Sequence, residues 1–326
     1  MTLLALVADM GGTNTRVALV DETGSILHRR SERTRADAGR DAVMKRLAEA
    51  LEEVASTAEA SSIAGVGLSV ASPVDPATGE MYNPPNLHGE GWHLFSPKSY
   101  LQDRLGFPVS LANDATLGAM GEHAFGAGRG SDNMIYMTVS TGIGGGVIVD
   151  GRLYTGYKGF AGEIGHITID RNGPTCNCGN VGCLEVMASG TAVARMAHER
   201  LSAGEASSLL ETAEGNTSAV DARMVADAAK AGDSLAQSLM HEVATNLGVG
   251  IVSLMHVFDP ELIVIGGGMS QNLDMLLPDI DREIQRHAMA HLRDRRPVVK
   301  SELGDDVSLL GAAALVFSDR GPVEQK

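Results

Sequence analysis

One pattern constrains the fold of this chain more than any other, because it occurs twice. Near the N-terminus "LLALVAD" is a short apolar run, followed by the turn "DMGGTNTR" and the alternating segment "TRVALVD". Around residue 140 the same order returns: "NMIYMTVS", the turn "STGIGGG", then "GGGVIVDGRLY". Strand, Gly/Thr turn, strand, twice over, reads as a diverged internal duplication. The segments between are strands and helices in alternation. A helix is expected over about 39–59, where Val43, Leu47, Leu51 and Val54 fall at helical spacing. "IAGVGLSV" is a buried strand, "FPVSLAND" runs into the helix "ATLGAMGEHAFG", and "ELIVIGGGMS" is another strand ending in glycines. A mostly helical tract spans about 185–258, broken at "SAGEASS" and "EGNTS", and "VSLLGAAALVF" is a final apolar helix. The fold class is α/β, with two duplicated halves and a cleft between them.

The stretch "SPVDPATGEMYNPPNLHGEGW" holds four prolines and must be loop. A loop of that length in a compact domain is usually functional. Composition narrows the possibilities further. A formal net charge of −15 argues against general nucleic-acid or anionic-membrane binding, and aromatics are only 4% of the chain. The opening apolar run lacks a basic flank and ends at Asp9, so it is a buried strand rather than a signal peptide. No stretch reaches the roughly 18–20 apolar residues of a membrane span. All three cysteines sit in "TCNCGNVGC", an odd, clustered count that does not form a disulfide framework and fits a reducing, cytoplasmic setting.

Each glycine turn could be a plain hairpin. Glycines also let backbone N–H groups close on phosphate oxygens. In the first turn Asp9, Gly11, Gly12, Thr13, Asn14 and Arg16 are therefore candidate nucleotide and Mg²⁺ contacts, with Asp9 placed to orient a hydrated Mg²⁺. The turn is neither a Walker A loop nor G-x-G-x-x-G. In the second, Thr141, Gly142 and Gly144 would grip the same polyphosphate, and Gly266, Gly267 and Gly268 can lie beside a purine and ribose. Three such clusters at strand ends resemble the phosphate sites of the actin, Hsp70 and sugar-kinase fold.

C-x-C-x₄-C supplies three soft ligands, and a structural zinc wants four. Cys176, Cys178 and Cys183 find their fourth in His166, ten residues upstream of Cys176, if "ITI" and the turn "DRNG" double the chain back; none of the other nine histidines lies as near in sequence. A run of small buried thiols is the alternative. The pair Asn113-Asp114 stands where a strand meets a helix, and alone it reads as a helix N-cap.

"GEIGH" followed by "CNCGNVGCLE", together with "DMGGTNTR", "LAND", "STGIGGG" and "VIGGG" in order, resembles the ROK family, and the resemblance covers essentially the whole chain. It implies a two-lobed, actin-like (ribonuclease-H-like) ATPase fold with a structural zinc knuckle. One lobe would cover residues 1–113 plus 306–326 and the other 114–305. It further implies ATP-dependent phosphorylation of a hexose at the C6 hydroxyl, with glucose first. Fructose, mannose, N-acetylmannosamine and N-acetylglucosamine are the alternatives, as is a sugar-sensing regulator of the same family. Asp114 would be the general base and Asn113 a hydroxyl binder. His166 would hold zinc by one ring nitrogen and the sugar by the other, with Glu163, Glu185 and Asn86 as further sugar contacts. ATP, Mg²⁺ and structural Zn²⁺ are the implied cofactors, and a homodimer or homotetramer the implied assembly. Ala71-Ser72 stands where many members carry Pro-Gly, and Asn14 where a Lys is frequent. The repressors of the family carry a helix-turn-helix module ahead of the kinase-like body, and the phosphate turn at Asp9 leaves no room for one here.

Overall fold

The computed structural model describes residues 2–318 apart from Asn83, Pro85, His88 and Arg296. The chain divides into two compact units: residues 1–132, 146–162 and 302–326 form one, and residues 133–145 and 163–301 the other.

The first unit is built on β1 (Leu4–Met10), β2 (Asn14–Asp21), β3 (Ile26–Arg33), β4 (Ile63–Val70) and β5 (Val109–Asn113), in the order β3-β2-β1-β4-β5. The β1–β2 and β2–β3 pairs are antiparallel, while β1–β4 and β4–β5 are parallel. Because both faces are covered, β1 and β4 are apolar nearly throughout, as the continuous runs "LALVADM" and "IAGVGLSV" require. One face of the sheet packs on α1 (Arg40–Ala55) and α2 (Pro97–Leu105), and the Pro-rich loop adds Val74, Met81, Leu87 and Trp92 to that core. Trp92 is thus a buried packing anchor. The other face carries α3 (Asp114–Phe125) and α10 (Val307–Ser318). These two helices meet almost backbone to backbone, since a Cβ on Gly311 would lie 1.9 Å from the Leu117 carbonyl oxygen.

The second sheet, order β10-β9-β6-β7-β8, comprises β6 (Met134–Val139), β7 (Ile143–Val149), β8 (Arg152–Leu153), β9 (Leu262–Gly266) and β10 (Val298–Lys300). Here β6–β9 and β9–β10 are parallel and β7–β8 antiparallel. Read from the other edge, β8-β7-β6-β9-β10 repeats β3-β2-β1-β4-β5 strand for strand, the duplication expected from the two glycine turns. The helices of the second unit are α4 (Leu184–Ala188), α5 (Gly190–Ser202), α6 (Leu209–Thr212), α7 (Ala222–Lys230), α8 (Ser234–Phe258) and α9 (Leu273–His287). The interruptions at "SAGEASS" and "EGNTS" are loops bounding α5 to α7. Three elements, α2, α9 and β10, were not expected from the sequence.

The sequence-based boundary at residue 113 differs from the observed units. Close packing on α10 keeps α3 with the first unit, and residues 146–162 return to it after the second glycine turn. Residues 319–326 of the expected C-terminal segment lie outside the described residues. Among the described residues no helix is long and apolar enough to cross a membrane.

Candidate functional site

In the first unit the turn between β1 and β2 is closed by donation from Gly11 N–H to the Asn14 carbonyl, 3.1 Å. Gly12 is required by close approach, since a Cβ there would come within 2.6 Å of Asn86 Cβ. The Pro-rich loop thereby reaches the glycine turn, and the exposed Asn86 stands beside it. Thr13 and Asn14 are exposed. Arg16 and Asp9 are cross-strand partners, and the Arg16 guanidinium donates to Asp9 Oδ2 at 2.6 Å. A second Arg16 nitrogen donates to the Asp305 carbonyl just before α10. Arg16 therefore holds Asp9 in place through Oδ2, and the Asp9 side chain retains 16% exposure.

Asn113 ends β5 and caps α3, its side-chain oxygen accepting from Ala115 N–H at 2.9 Å. The cap expected from the sequence is real. Asp114, the first residue of α3, is half-buried and also accepts from Ala115 N–H. The Asn113 amide donates to the Ser72 carbonyl, 3.5 Å, so the Ala71-Ser72 departure lies against this pair. Nothing in the sequence signalled that link, because it joins residues 41 positions apart.

In the second unit His166, Cys176, Cys178 and Cys183 converge, with their ligand atoms all within 4.8 Å of one another. Cys176 Sγ lies 3.8 Å from His166 Nδ1, and Cys178 Sγ 3.7 Å from Cys183 Sγ. A tetrahedral site with Zn–S bonds of about 2.3 Å has sulfur–sulfur edges of about 3.8 Å, so this donor set fits zinc. The segment "ITI" forms an isolated bridge, Thr168 to Cys183, and a second bridge runs from Thr175 to Val181. These bridges double the chain back as the ligand set needs. Gly182 makes the fold-back possible: its φ is +63°, and a Cβ would sit 1.6 Å from the Asp170 carbonyl oxygen. Burial, then the neighbouring thiols, pushes the Cys183 thiol up to about 12. The Asn180 backbone N–H holds the exposed Cys178 below the ordinary thiol value. Loading a metal must therefore displace a proton from Cys183.

Cys183 is also the residue from which α4 starts, and two positions on, Glu185 accepts from Ile143 N–H in the second glycine turn at 2.9 Å. A Cβ on Gly142 would strike Glu185 Oε2 at 2.5 Å. Glu185 thus ties the cysteine knuckle to the second glycine turn at Gly142 and Ile143. The same turn is held from behind by α5, whose Gly190 and Thr191 N–H groups donate to the Ser140 and Thr141 carbonyls. Glu163 is exposed, and its carbonyl accepts from His166 N–H. Of the third cluster, Gly266 packs on Tyr136, and Gly267, at φ +77°, lies 2.5 Å by its notional Cβ from the Val139 carbonyl; around Gly268 the space is open. Two of these three glycines are demanded by packing on β6, and a Cβ on Gly268 would meet no atom within 4 Å.

A family model described as "ROK family" matches residues 5–319. The chain is 37% identical to a glucokinase of Thermotoga maritima over 308 residues, 94% of this chain and 95% of that protein. It is 31% identical to a putative xylose repressor of Caldicellulosiruptor over 318 residues, 97% of this chain and 78% of that protein. Among solved structures it resembles a ROK family glucokinase from Streptomyces griseus in complex with glucose and AMPPNP: TM-score 0.80, 32% identity, 96% of this chain and 98% of that one. Two duplicated sheets, a Cys₃His knuckle compatible with zinc, and a family match over nearly the whole length lead to one conclusion: the chain belongs to the ROK family.

Proposed function

We propose that this protein is an ATP-dependent hexose kinase that phosphorylates glucose at its C6 hydroxyl. The observation that carries the reading is the Asn113-Asp114 pair. A half-buried carboxylate opens α3, beside an amide anchored to the Ser72 carbonyl. Asp114 takes the proton of the attacking hydroxyl as the bond from that oxygen to the γ-phosphorus forms and the bond from phosphorus to the bridging oxygen breaks, releasing ADP. Asn113, Glu163, His166, Glu185 and Asn86 bind sugar hydroxyls. The turns at Asp9–Arg16 and Ser140–Gly145 and the glycines after β9 hold the nucleotide. Magnesium, when bound, neutralises phosphate charge, and Asp9 is the residue that holds its water shell. Cys176, Cys178, Cys183 and His166 Nδ1 would hold a structural zinc, which would fix the imidazole tautomer, and Nε2 of His166 would then be left for the sugar. A reducing compartment keeps those thiols available. Similarity to glucokinases over nearly the full length of both chains supports the substrate assignment.

The test is an ADP-release assay over glucose, fructose, mannose and the two N-acetylhexosamines, run beside a DNA gel shift. Glucose is expected to have the highest kcat/KM, and Asp114→Asn to lower kcat by at least ~10² while sugar affinity stays within about tenfold. An N-acetyl sugar ahead of glucose would replace the substrate. An Asp114→Asn enzyme with near-normal kcat would remove the base. DNA binding without ADP release would favour the family's regulators.

A further inference from the structure

The first glycine turn is held from behind by one buried residue. Thr34, only 2% exposed, directly follows β3, and its Oγ1 donates to the Gly11 carbonyl at 2.6 Å. The same hydroxyl lies 2.9 Å from Oγ1 of the buried Thr15. A hydroxyl has one proton, and a carbonyl can only accept. Thr34 therefore spends its proton on Gly11, and Thr15 donates to Thr34. Both bonds run in one direction, from Thr15 to Thr34 to Gly11, and in a dry setting each polarises the other.

The backbone of Thr34 adds a second tie. Asn14 and Arg33 are register partners at the end of the β2–β3 ladder, so Thr13 and Thr34 are the next pair along it. Such a pair can exchange two bonds in an antiparallel ladder, and here only one is made. Thr34 N–H donates to the Thr13 carbonyl at 2.9 Å, whereas the Thr34 carbonyl accepts from the Arg46 guanidinium of α1. Arg46 donates to the Arg35 carbonyl as well, at 3.3 Å. Among the described residues the Gly12 and Thr13 N–H groups have no hydrogen-bond acceptor. In a trans peptide the carbonyl and the N–H that follows it point in opposite directions. Fixing the Gly11 carbonyl on Thr34 thus turns the Gly12 N–H away from the buried pair. Gly12 is half-buried and Thr13 exposed, so a ligand reaches both donors.

We infer that Thr34 is a positioning residue for the phosphate chain of the nucleotide; this rests on the proposed role of the first glycine turn. Its hydroxyl occupies a carbonyl that would otherwise face a phosphate, and it aims the Gly12 N–H at the phosphate oxygens. Arg46, by taking the Thr34 carbonyl, stands where the Thr13 N–H would bond if the ladder continued, and so leaves that donor for the ligand too.

The alternative is that the Thr15–Thr34 pair only stabilises the fold. Thr34→Val keeps the shape and the backbone N–H and removes the hydroxyl, while Thr34→Ser keeps the hydroxyl. Calorimetry then compares a non-hydrolysable ATP analogue with adenosine, which lacks phosphate, and Tm is read alongside. Thr34→Val is expected to weaken the analogue about tenfold, the scale of one hydrogen bond to a charged acceptor, with adenosine unchanged and Thr34→Ser close to wild type. The double variant Thr15→Val, Thr34→Val replaces both hydroxyls by apolar groups of the same shape, which preserves the fold if the single variant does not. It should show the same loss. Analogue affinity within twofold of wild type in the folded variant, or an equal loss for adenosine, overturns the role of Thr34 and leaves the kinase reading standing. A wild-type protein that binds the analogue no tighter than adenosine overturns both.

Discussion

At the scale of single residues, carboxylates in this protein do different work according to the donors around them. Asp233 caps α8, accepting from Ala236 N–H, and also accepts from Ser208 N–H and the Ser207 and Ser208 hydroxyls. Burial alone would raise its pKa, but these donors outweigh burial and hold the carboxyl below the usual carboxylate value. A folded-state pKa below the unfolded one means stability that is fully present above about pH 4 and lost as pH falls through the folded value. Asp233→Ala should cost about 0.5–2 kcal/mol at pH 7. In urea unfolding the gap between wild type and variant should shrink toward pH 3; a gap independent of pH would show that the charge is irrelevant. Glu122 shows the limit of reading such residues from sequence. It is fully buried in α3 and accepts N–H groups from Ala127 and Leu303, the latter 181 residues away. "GEHAFG" does not reveal this, because its donors are brought by the tertiary fold. The Asn113 cap was legible because cap chemistry is local.

At the scale of elements, the knuckle and the second glycine turn form one mechanical unit. The Cys₃His cluster sets the start of α4, α4 carries Glu185, and Glu185 takes the Ile143 N–H. Glu185→Ala should weaken binding of a non-hydrolysable ATP analogue about tenfold, the scale of one hydrogen bond to a charged group. Glu185→Gln, which keeps an acceptor for Ile143, should recover most of it. Calorimetry that finds both variants equal to wild type toward nucleotide would confine Glu185 to the sugar. The sequence placed Glu185 only beside the knuckle, since the partner that reveals its second duty is 42 residues upstream. It likewise anticipated three glycines after β9 as ligand contacts, whereas Gly266 and Gly267 are also required by packing on β6. A glycine in sequence shows that a Cβ is unwelcome but not what excludes it.

At the scale of the whole molecule, the sheet order of the first five strands is repeated in the second five, and the four residues of the metal knuckle all lie in the second unit. Purified protein should carry about one zinc per chain by elemental analysis. Chelation, or Cys178→Ser, should lower Tm and speed hydrogen exchange around residues 163–190 and in the turn at 140–145, with β1, β4 and β5 remaining protected. Protein free of zinc and unchanged by Cys178→Ser would refute the metal site. The sequence by itself determined the strand–turn–strand repeat, the α/β class, the cysteine cluster with His166, and the Asn113-Asp114 cap, all of which rest on periodicity, turn chemistry and short spacings. Only the tertiary structure decided that α3 packs on α10 within the first unit, that Arg16 secures Asp9, that Glu185 reaches the second glycine turn, and that Thr34 bonds the Gly11 carbonyl. Those facts depend on which distant backbone atoms and side chains come within a few ångströms, and hydrophobic patterning specifies which faces are buried without specifying what they meet.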